Sequence, residues 1–171
     1  GGRGMTDTQK KPLWKNELVW LFLLTSGLFA ILYSKFILGG YAYVFTDTGA
    51  DTMQINYAQY GLFSSLFRSG ESGYVLQAGL GMDVSSYYPA YLIPYNLLIL
   101  LAPQRLLPWA VLASAYLKMI TISLVGYLFY RKLMQDGIGT MAAALAWTFS
   151  GYVILWGQHY GFCTCMALFT V

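Results

Sequence analysis

Long apolar stretches alternate with shorter polar stretches along this chain, and the alternation predicts helices that cross a membrane. Residues 18–38 are almost wholly apolar, and a helix of that length extends about 32 Å, slightly more than the hydrocarbon core of a bilayer. Two later stretches, 108–130 and 140–157, are long enough for a second and a third span. Lys35 and bulky residues end the first stretch. A signal peptide would have small residues there, so we interpret 18–38 as an uncleaved span.

The segment 87–102 is also apolar, but it is too short and too irregular for a further span. Pro89 and Pro94 interrupt it, and proline removes a backbone donor and disfavours helix at the preceding residue. We therefore predict a re-entrant or interfacial element within a long outer loop, 39–107. The predicted fold class is an all-α polytopic membrane protein with about three transmembrane helices.

Basic residues set the predicted orientation in the membrane. They precede the first span, and they follow the second span in the link 131–139. Cytoplasmic loops carry an excess of Lys and Arg, so we predict that residues 1–17 and this link are cytoplasmic. Gly1–Gly4 is interpreted as a tag remnant. The loop 39–107 and the last segment, 158–171, then lie on the outer face.

The composition agrees with a membrane protein and excludes several other classes. Hydrophobic residues make up 57% of the chain and charged residues 10%, so charged side chains are too few to cover a soluble domain. The net charge of +3 comes without a stripe of Lys and Arg, which argues against nucleic-acid binding. Two cysteines cannot staple a small disulfide domain. The end of 158–171 turns apolar again, and we predict that the chain is the N-terminal part of a longer polytopic protein.

The outer loop opens with the candidate catalytic residues Asp47 and Asp51, which flank a glycine shortly after the first span. Near an apolar surface the pKa of a carboxylate tends to rise, which suits a general base. Two aspartates are also compatible with a divalent cation, although the sequence indicates no certain cofactor and no metal ligand is assigned. The alternative is structural. Asp47 or Thr48 then caps a short helix that starts near Asp51 and turns Tyr57, Tyr60, Leu62 and Phe63 toward the membrane.

A second cluster in the loop combines two glycines with Asp83 and the tyrosine pair Tyr87 and Tyr88. Gly79 and Gly81 permit a tight turn and close backbone approach. No convincing strand is predicted before them and no long soluble helix after them, so the pattern does not indicate dinucleotide binding. Asp83 and the tyrosines can line a sugar or headgroup pocket. Alternatively, the tyrosines are membrane-interface anchors.

Two further candidates lie in or beside the later spans. Lys118 is near the middle of 108–130, where an ionisable group is costly and functional by default. It can hold a lipid phosphate, or it can pair with a carboxylate or backbone carbonyls of another helix. His159, the only histidine, can contact a phosphate or transfer a proton, or it is an interfacial residue without chemistry. Cys163 and Cys165 are interpreted as packing residues.

Taken in order, these segments resemble the N-terminal part of the bacterial YfhO-like membrane proteins, which belong with the GT-C glycosyltransferases. The resemblance covers about residues 15–165 and rests on one span followed by several short motifs. The motifs are Asp47-Thr48-Gly49-Ala50-Asp51-Thr52-Met53-Gln54, Gly79-Leu80-Gly81-Met82-Asp83 leading into Tyr87-Tyr88, Ile93-Pro94-Tyr95-Asn96-Leu97-Leu98, a span containing Lys118 that ends Tyr130-Arg131-Lys132, and Phe149-Ser150-Gly151-Tyr152.

The resemblance implies an enzyme of the bacterial cytoplasmic membrane with more spans than this chain contains. It implies transfer of a sugar from a polyprenyl-phosphate donor to a cell-envelope acceptor, either a polymer or a lipid, on the outer face. An acidic residue in the first outer loop of such enzymes acts as base or orients the acceptor, a role that falls on Asp51 or Asp47. The other implied contacts to acceptor, sugar or lipid phosphate are Gln54, Asp83, Lys118 and His159. The chain alone is expected to be inactive.

Two other functions fit the same segments. A transporter or lipid-handling protein would use Lys118 and the proline-broken segment 87–102 as a discontinuous helix at a substrate site. A membrane scaffold would use neither. The three readings differ in their response to substitution. A transferase loses turnover on Asp51→Asn, a transporter loses flux on Lys118→Ala, and a scaffold is indifferent to both.

Overall fold

The computed structural model describes residues 16–44, 56–71, 73–76, 81–83, 94–134, 136–157 and 166, and within them the chain is mostly helical. The helices are α1 (Glu17–Leu32), α2 (Ser34–Leu38), α3 (Ala58–Ser69), α4 (Leu97–Leu101), α5 (Leu107–Leu133), α6 (Gly137–Thr148) and α7 (Gly151–Trp156). A 3-10 turn, Gln104–Leu106, precedes α5. Two short antiparallel strands, β1 (Tyr74–Val75) and β2 (Met82–Asp83), pair in the loop between α3 and α4.

Within the described residues, two helical stretches are long and apolar enough to cross a membrane by length and composition. They are Gln104–Leu133 and Gly137–Trp156, whereas Glu17–Leu32 is a shorter apolar helix. Because α1 has 16 residues, it extends about 24 Å and does not by itself cover a hydrocarbon core of about 30 Å. The structure therefore shows a mostly helical chain with two candidate membrane-spanning helices.

The stretch 18–38, for which the sequence predicts one span, contains two helices. Asn16 caps α1, since its side chain accepts a hydrogen bond from the backbone N–H of Leu18 at 3.0 Å. The helix ends before Tyr33, and α2 begins one residue later. The ring of Tyr33 stacks on that of Phe29, with 4.2 Å between ring centroids. The break in the apolar stretch thus falls at a residue with an aromatic contact to the preceding turn.

The two later apolar stretches lie in α5, α6 and α7. Pro108 stands in the first turn of α5, where its missing N–H costs no helical hydrogen bond. Arg131 and Lys132 stand in the last turn, where their charge complements the helix dipole. Asp136 caps α6 by accepting a hydrogen bond from the backbone N–H of Gly139 at 2.7 Å. The chain leaves helical geometry between α6 and α7, so 140–157 is also interrupted.

Small residues bring α5 and α6 together. A Cβ added at the buried Gly126 of α5 would lie 3.3 Å from Cδ1 of Trp147 and 3.9 Å from Cα of Ala144, both on α6. Ala144 is itself fully buried. Close approach of helices at small residues is typical of membrane interfaces, where packing rather than water exclusion holds helices together. Gly126 is therefore the position at which the α5–α6 contact is least tolerant of a side chain.

Hydroxyl groups join α1 to α5. Thr25 and Ser123 are both buried, and their hydroxyl oxygens lie 2.8 Å apart in a hydrogen bond. The hydroxyls of Ser26 and Tyr116 form a second such pair at 2.8 Å. Hydrogen bonds between polar side chains of neighbouring helices are a recurrent means of association in apolar surroundings.

We expect Thr25→Val and Ser123→Ala to be coupled by about 0.6 kcal/mol in the free energy of unfolding, the average for interhelical hydrogen bonds in a membrane bundle. Each single variant leaves one buried hydroxyl without its partner, whereas the double variant removes both groups. A double-mutant cycle of unfolding in mixed micelles measures this coupling. Effects that add to within about 0.3 kcal/mol would mean that the bond makes no net contribution.

In the loop between α2 and α5, α3 packs on α4 and on β1. Phe63, Leu66, Val75 and Leu100 form a buried cluster, and the hydroxyl of Ser64 donates to the carbonyl of Ala102 at 2.6 Å. These contacts tie the loop elements to the start of α5.

One part of the capping alternative is wrong for the loop helix. Tyr60 and Phe63, expected on a membrane-facing side, are 4% and 0% exposed, because this face of α3 packs against other parts of the protein. The helix start expected near Asp51 falls outside the described residues, and α3 begins at Ala58.

Candidate functional site

Lys118 lies near the middle of α5 and is only 4% exposed. It shares one face of the helix with Val111, Ser114, Ala115 and Met119, because residues three and four apart lie above one another on a helix. All five side chains line one cavity. The lysine is thus placed at an internal site by the periodicity of α5.

The cavity at Lys118 is lined by residues from distant parts of the chain. Its volume is about 20 Å³, on the scale that holds one or two water molecules. Tyr33 follows α1, Tyr43 follows α2, Ile99 is on α4, and the other wall comes from α7 and its end. The described lining residues outside α5 are Tyr33, Tyr43, Ile99, Val153 and Gly157.

Tyr33 and Tyr43 form an aromatic pair at one side of the cavity. Their rings meet edge to face with 5.2 Å between centroids, and their hydroxyl oxygens are 3.5 Å apart at the limit of a hydrogen bond. Both side chains are buried. A Cβ added at Gly157 would lie 3.1 Å from the hydroxyl oxygen of Tyr43, so the chain approaches this hydroxyl closely at the end of α7.

Ser114 brings a buried polar atom without a hydrogen-bond partner to the same cavity. Its side chain is 1% exposed, and its Oγ has no hydrogen-bond partner. Leaving a buried hydroxyl unsatisfied costs about 1–3 kcal/mol, and such a group is a marker of function or of a missing ligand. The side chain of Asn96, just before α4, is also buried with an unsatisfied Oδ1.

A larger apolar groove adjoins the cavity. Its volume is about 350 Å³, more than ten times that of the cavity at Lys118. Tyr33 and Tyr43 line both spaces, so the tyrosine pair stands between them. The other lining residues of the groove are Leu32, Phe36, Val44, Phe149 and Ile154. The small cavity at Lys118 and the larger apolar groove therefore share two phenol rings.

The described lining of the cavity includes one amine and three hydroxyls. Among its described lining residues, Lys118 is the only one with an ionisable amine or carboxylate. The ammonium and the hydroxyls of Ser114, Tyr33 and Tyr43 can all donate hydrogen bonds. Tyr57 packs against the same core, and burial raises the pKa of its phenol.

The far end of α5 carries a separate polar contact. The Tyr127 hydroxyl donates to the carboxylate of Glu17, and Arg131 lies 3.8 Å from the same carboxylate. Glu17 also stands directly over Gly137, at the start of α6. Since the ion pair is more than one third exposed, its contribution to stability is small. We interpret this contact as a polar link between the start of α1 and the end of α5.

Among the predicted site residues that the structure describes, Lys118 lines the cavity. Asp83 is exposed on β2, opposite Tyr74, and is not among the described residues that line the cavity. Gly81, beside it, has a positive φ of 107° and approaches the ring of Tyr74 too closely for a side chain. The remaining candidates lie outside the described residues: Asp47, Asp51, Gln54, Tyr87, Tyr88 and His159.

Three residues that line the cavity together with Lys118 were not among the predicted site residues. Ser114 could have been predicted from the sequence, because it lies four positions before Lys118 and so on the same helix face. Tyr33 and Tyr43 could not have been predicted, since their position in the cavity wall depends on the break between α1 and α2. Among the residues that the structure describes, no three His, Cys, Asp or Glu side chains are grouped to hold a metal ion.

Comparison of the chain with protein-family models, with curated proteins and with solved structures finds no match.

Proposed function

We propose that the chain is part of a membrane glycosyltransferase that takes a sugar from a polyprenyl-phosphate donor and transfers it to a cell-envelope acceptor. The observation that carries the proposal is Lys118, buried in a candidate membrane-spanning helix beside a partnerless hydroxyl and next to an apolar groove. A lipid phosphate needs a positive donor set for its head and an apolar surface for its chain. The YfhO-like motifs supply the sugar-transfer part of the proposal.

The proposed reaction moves one sugar and one proton. The oxygen of an acceptor hydroxyl forms a bond to the anomeric carbon, while the bond from that carbon to the phosphate oxygen breaks. The electron pair leaves with the lipid phosphate, whose growing negative charge Lys118 stabilises. The acceptor proton passes to the carboxylate of Asp51 or Asp47 acting as general base. Positioning at the cavity supplies the rest of the acceleration.

The same proposal assigns the chain a place in the membrane. We propose that α1 and α2 together form a third span beside α5 and the α6–α7 stretch, with the N-terminus in the cytoplasm of a bacterium. Arg131 and Lys132 then lie on the cytoplasmic side at the end of α5, as the distribution of positive charge favours. The loop containing α3 lies on the outer face, where the acceptor is. Because the resemblance implies further spans, the proposed enzyme is longer than this chain.

We expect Asp51→Asn or Asp47→Asn in the full-length protein to abolish transfer of label from a radiolabelled polyprenyl-phosphate hexose to membrane acceptors. Loss of a general base lowers the rate by about a hundredfold to ten-thousandfold. Asp136→Asn is the matched control, because asparagine caps a helix as well as aspartate does. Thermal unfolding shows whether each variant folds.

The outcomes of this assay separate the proposal from its rivals. Transfer lost in one aspartate variant and kept in Asp136→Asn supports the transferase and identifies the base. Transfer that survives both changes refutes the assignment of the base. A wild-type protein that transfers no label, with several hexoses and acceptors tried, would contradict the transferase.

A transporter or lipid-handling protein is the second candidate, and one observation favours it. The break at Tyr33 and the break between α6 and α7 both border the apolar groove, since Tyr33, Phe149 and Ile154 line it. Discontinuous helices at a substrate site are a feature of transporters. This candidate predicts substrate flux across vesicles that is lost on Lys118→Ala, without any transfer of sugar.

A further inference from the structure

We propose that the cavity at Lys118 is the binding site of one ordered water molecule, which Ser114 holds together with the tyrosine pair Tyr33 and Tyr43. The inference goes beyond the proposed function, because it does not depend on any transfer of sugar. It assigns a hydrogen-bond partner to the buried Ser114 hydroxyl, and it links α5 to the residues on both sides of α2.

The size of the cavity matches one water molecule. Its volume is about 20 Å³, and about 10–15 Å³ of such space is needed to hold one water. The walls are closed, since Ile99, Val111 and Ser114 are each at most 2% exposed. A water bound here is therefore separated from the bulk solvent.

The Ser114 hydroxyl supplies the first hydrogen bond. Its Oγ is buried without a hydrogen-bond partner, which costs free energy. Protein interiors commonly satisfy such a group with an ordered water. Because Ser114 lines the cavity, a water in this space can bond to the hydroxyl and remove the cost.

The tyrosine pair and Lys118 supply the other hydrogen bonds. A buried water typically makes about three, and the described lining carries the hydroxyls of Tyr33 and Tyr43 and the amine of Lys118. A hydroxyl has one donor and two acceptor sites, and an ammonium has three donors, so each group can bind a water in addition to another partner. The two tyrosine hydroxyl oxygens are 3.5 Å apart, so one water can bridge them. The rest of the described lining is apolar, and without polar groups such a cavity stays dry.

A water at this position joins segments that are distant in the sequence. Ser114 is on α5, Tyr33 stands between α1 and α2, and Tyr43 follows α2. A bridging water is enthalpically nearly as good as a direct hydrogen bond. The water therefore helps to hold the tyrosine pair against α5, and removal of its ligand on α5 should weaken this contact.

Transfer of proton magnetisation from water to serine side chains in solid-state NMR tests the inference. The full-length protein carries 13C-labelled serine and is reconstituted in vesicles of deuterated lipid. Ser123 is the internal control, because it lies on α5, is also 1% exposed and bonds to Thr25 instead. The signals of Ser114 and Ser123 are those missing from the two alanine variants. We expect the Ser114 signal to grow severalfold faster than the Ser123 signal, and equal growth would overturn the inference.

The effect of Ser114→Ala on the midpoint of denaturant unfolding tests whether this serine binds the water. Loss of the hydroxyl leaves a bound water with fewer partners and lowers the midpoint, whereas in a dry cavity it removes an unsatisfied group and raises the midpoint. Ser65→Ala, at an exposed position of α3, is the matched control for the change in helix propensity.

We expect Ser114→Ala to unfold at a lower denaturant concentration than Ser65→Ala. A midpoint equal to that of the control, or above it, would show that the Ser114 hydroxyl holds no water. Neither measurement involves turnover, so a failure of the transferase proposal and a failure of this inference are distinguishable.

Discussion

Replacing Lys118 with methionine is expected to lower sugar transfer by the full-length protein at least about a hundredfold, the loss typical of removing one group that stabilises charge in a transition state. In the proposed mechanism, negative charge grows on the lipid phosphate as its bond to the sugar breaks. The ammonium of Lys118 stabilises that charge. Methionine is similar in length and apolar. It keeps the packing of the α5 face while it removes the charge.

The matched control is Lys132→Met on the same helix. Lys132 is exposed in the last turn of α5, far from the cavity, so this variant should transfer sugar as wild type does. Initial rates with labelled donor are compared after thermal unfolding shows that both variants fold. A folded Lys118→Met enzyme with more than half of wild-type activity would remove the lysine from the mechanism.

Gly126→Leu is expected to destabilise the fold by forcing apart two helices that approach closely at this residue. A Cβ at this position would already lie 3.3 Å from the ring of Trp147, and the rest of a leucine side chain must force α5 and α6 apart. Overpacking of this kind costs about 1–3 kcal/mol and sometimes more. The loss of close packing is not compensated in lipid, which is as apolar as leucine.

Gly27→Leu on α1 isolates the packing effect. A Cβ at Gly27 meets no atom within 4 Å, and leucine has a higher helix propensity than glycine by almost 1 kcal/mol. This variant should therefore unfold at the wild-type denaturant concentration or a higher one, whereas Gly126→Leu should unfold at a lower one. Equal midpoints for the two variants would show that α5 and α6 do not depend on close approach at Gly126.

The sequence could predict the helices whose ends carry local signals. Pro108 and the basic pair after Tyr130 mark the ends of α5, and the apolar stretch between them carries Lys118 at a buried depth. These features depend on residue type and helical period alone, so they are visible without a structure. The structure describes two candidate membrane-spanning helices at the positions of the later apolar stretches.

The sequence could not predict where the apolar stretches break. α1 is apolar on every side, and neither Tyr33 nor Ser34 is a helix breaker. At the break, Tyr33 meets Tyr43 edge to face, a contact with a residue beyond α2 that the apolar pattern does not reveal. The break matters because it carries Tyr33 into the cavity wall.

Lys118 is a predicted site residue that lines the cavity, whereas the residues around it were not among the predictions. A lysine within an apolar span is conspicuous by its charge. Ser114 is an ordinary residue in such a span, and it becomes informative only when its burial and its unpaired oxygen are known. The proposed base, Asp51 or Asp47, lies outside the described residues, so its role remains a prediction from the motif.

A nitrogen–phosphorus dipolar measurement by solid-state NMR tests the central claim most directly, because it reports contact between Lys118 and a lipid phosphate without any assay of turnover. The full-length protein is labelled with 15N at lysine side chains and reconstituted with a polyprenyl-phosphate hexose. A charge-assisted hydrogen bond brings nitrogen and oxygen to about 2.8 Å, so 31P should dephase one lysine signal strongly. We predict that this signal is absent from Lys118→Met and present in Lys132→Met. A lysine signal dephased equally in Lys118→Met, or no dephasing in the wild-type protein with donor bound, would contradict the account.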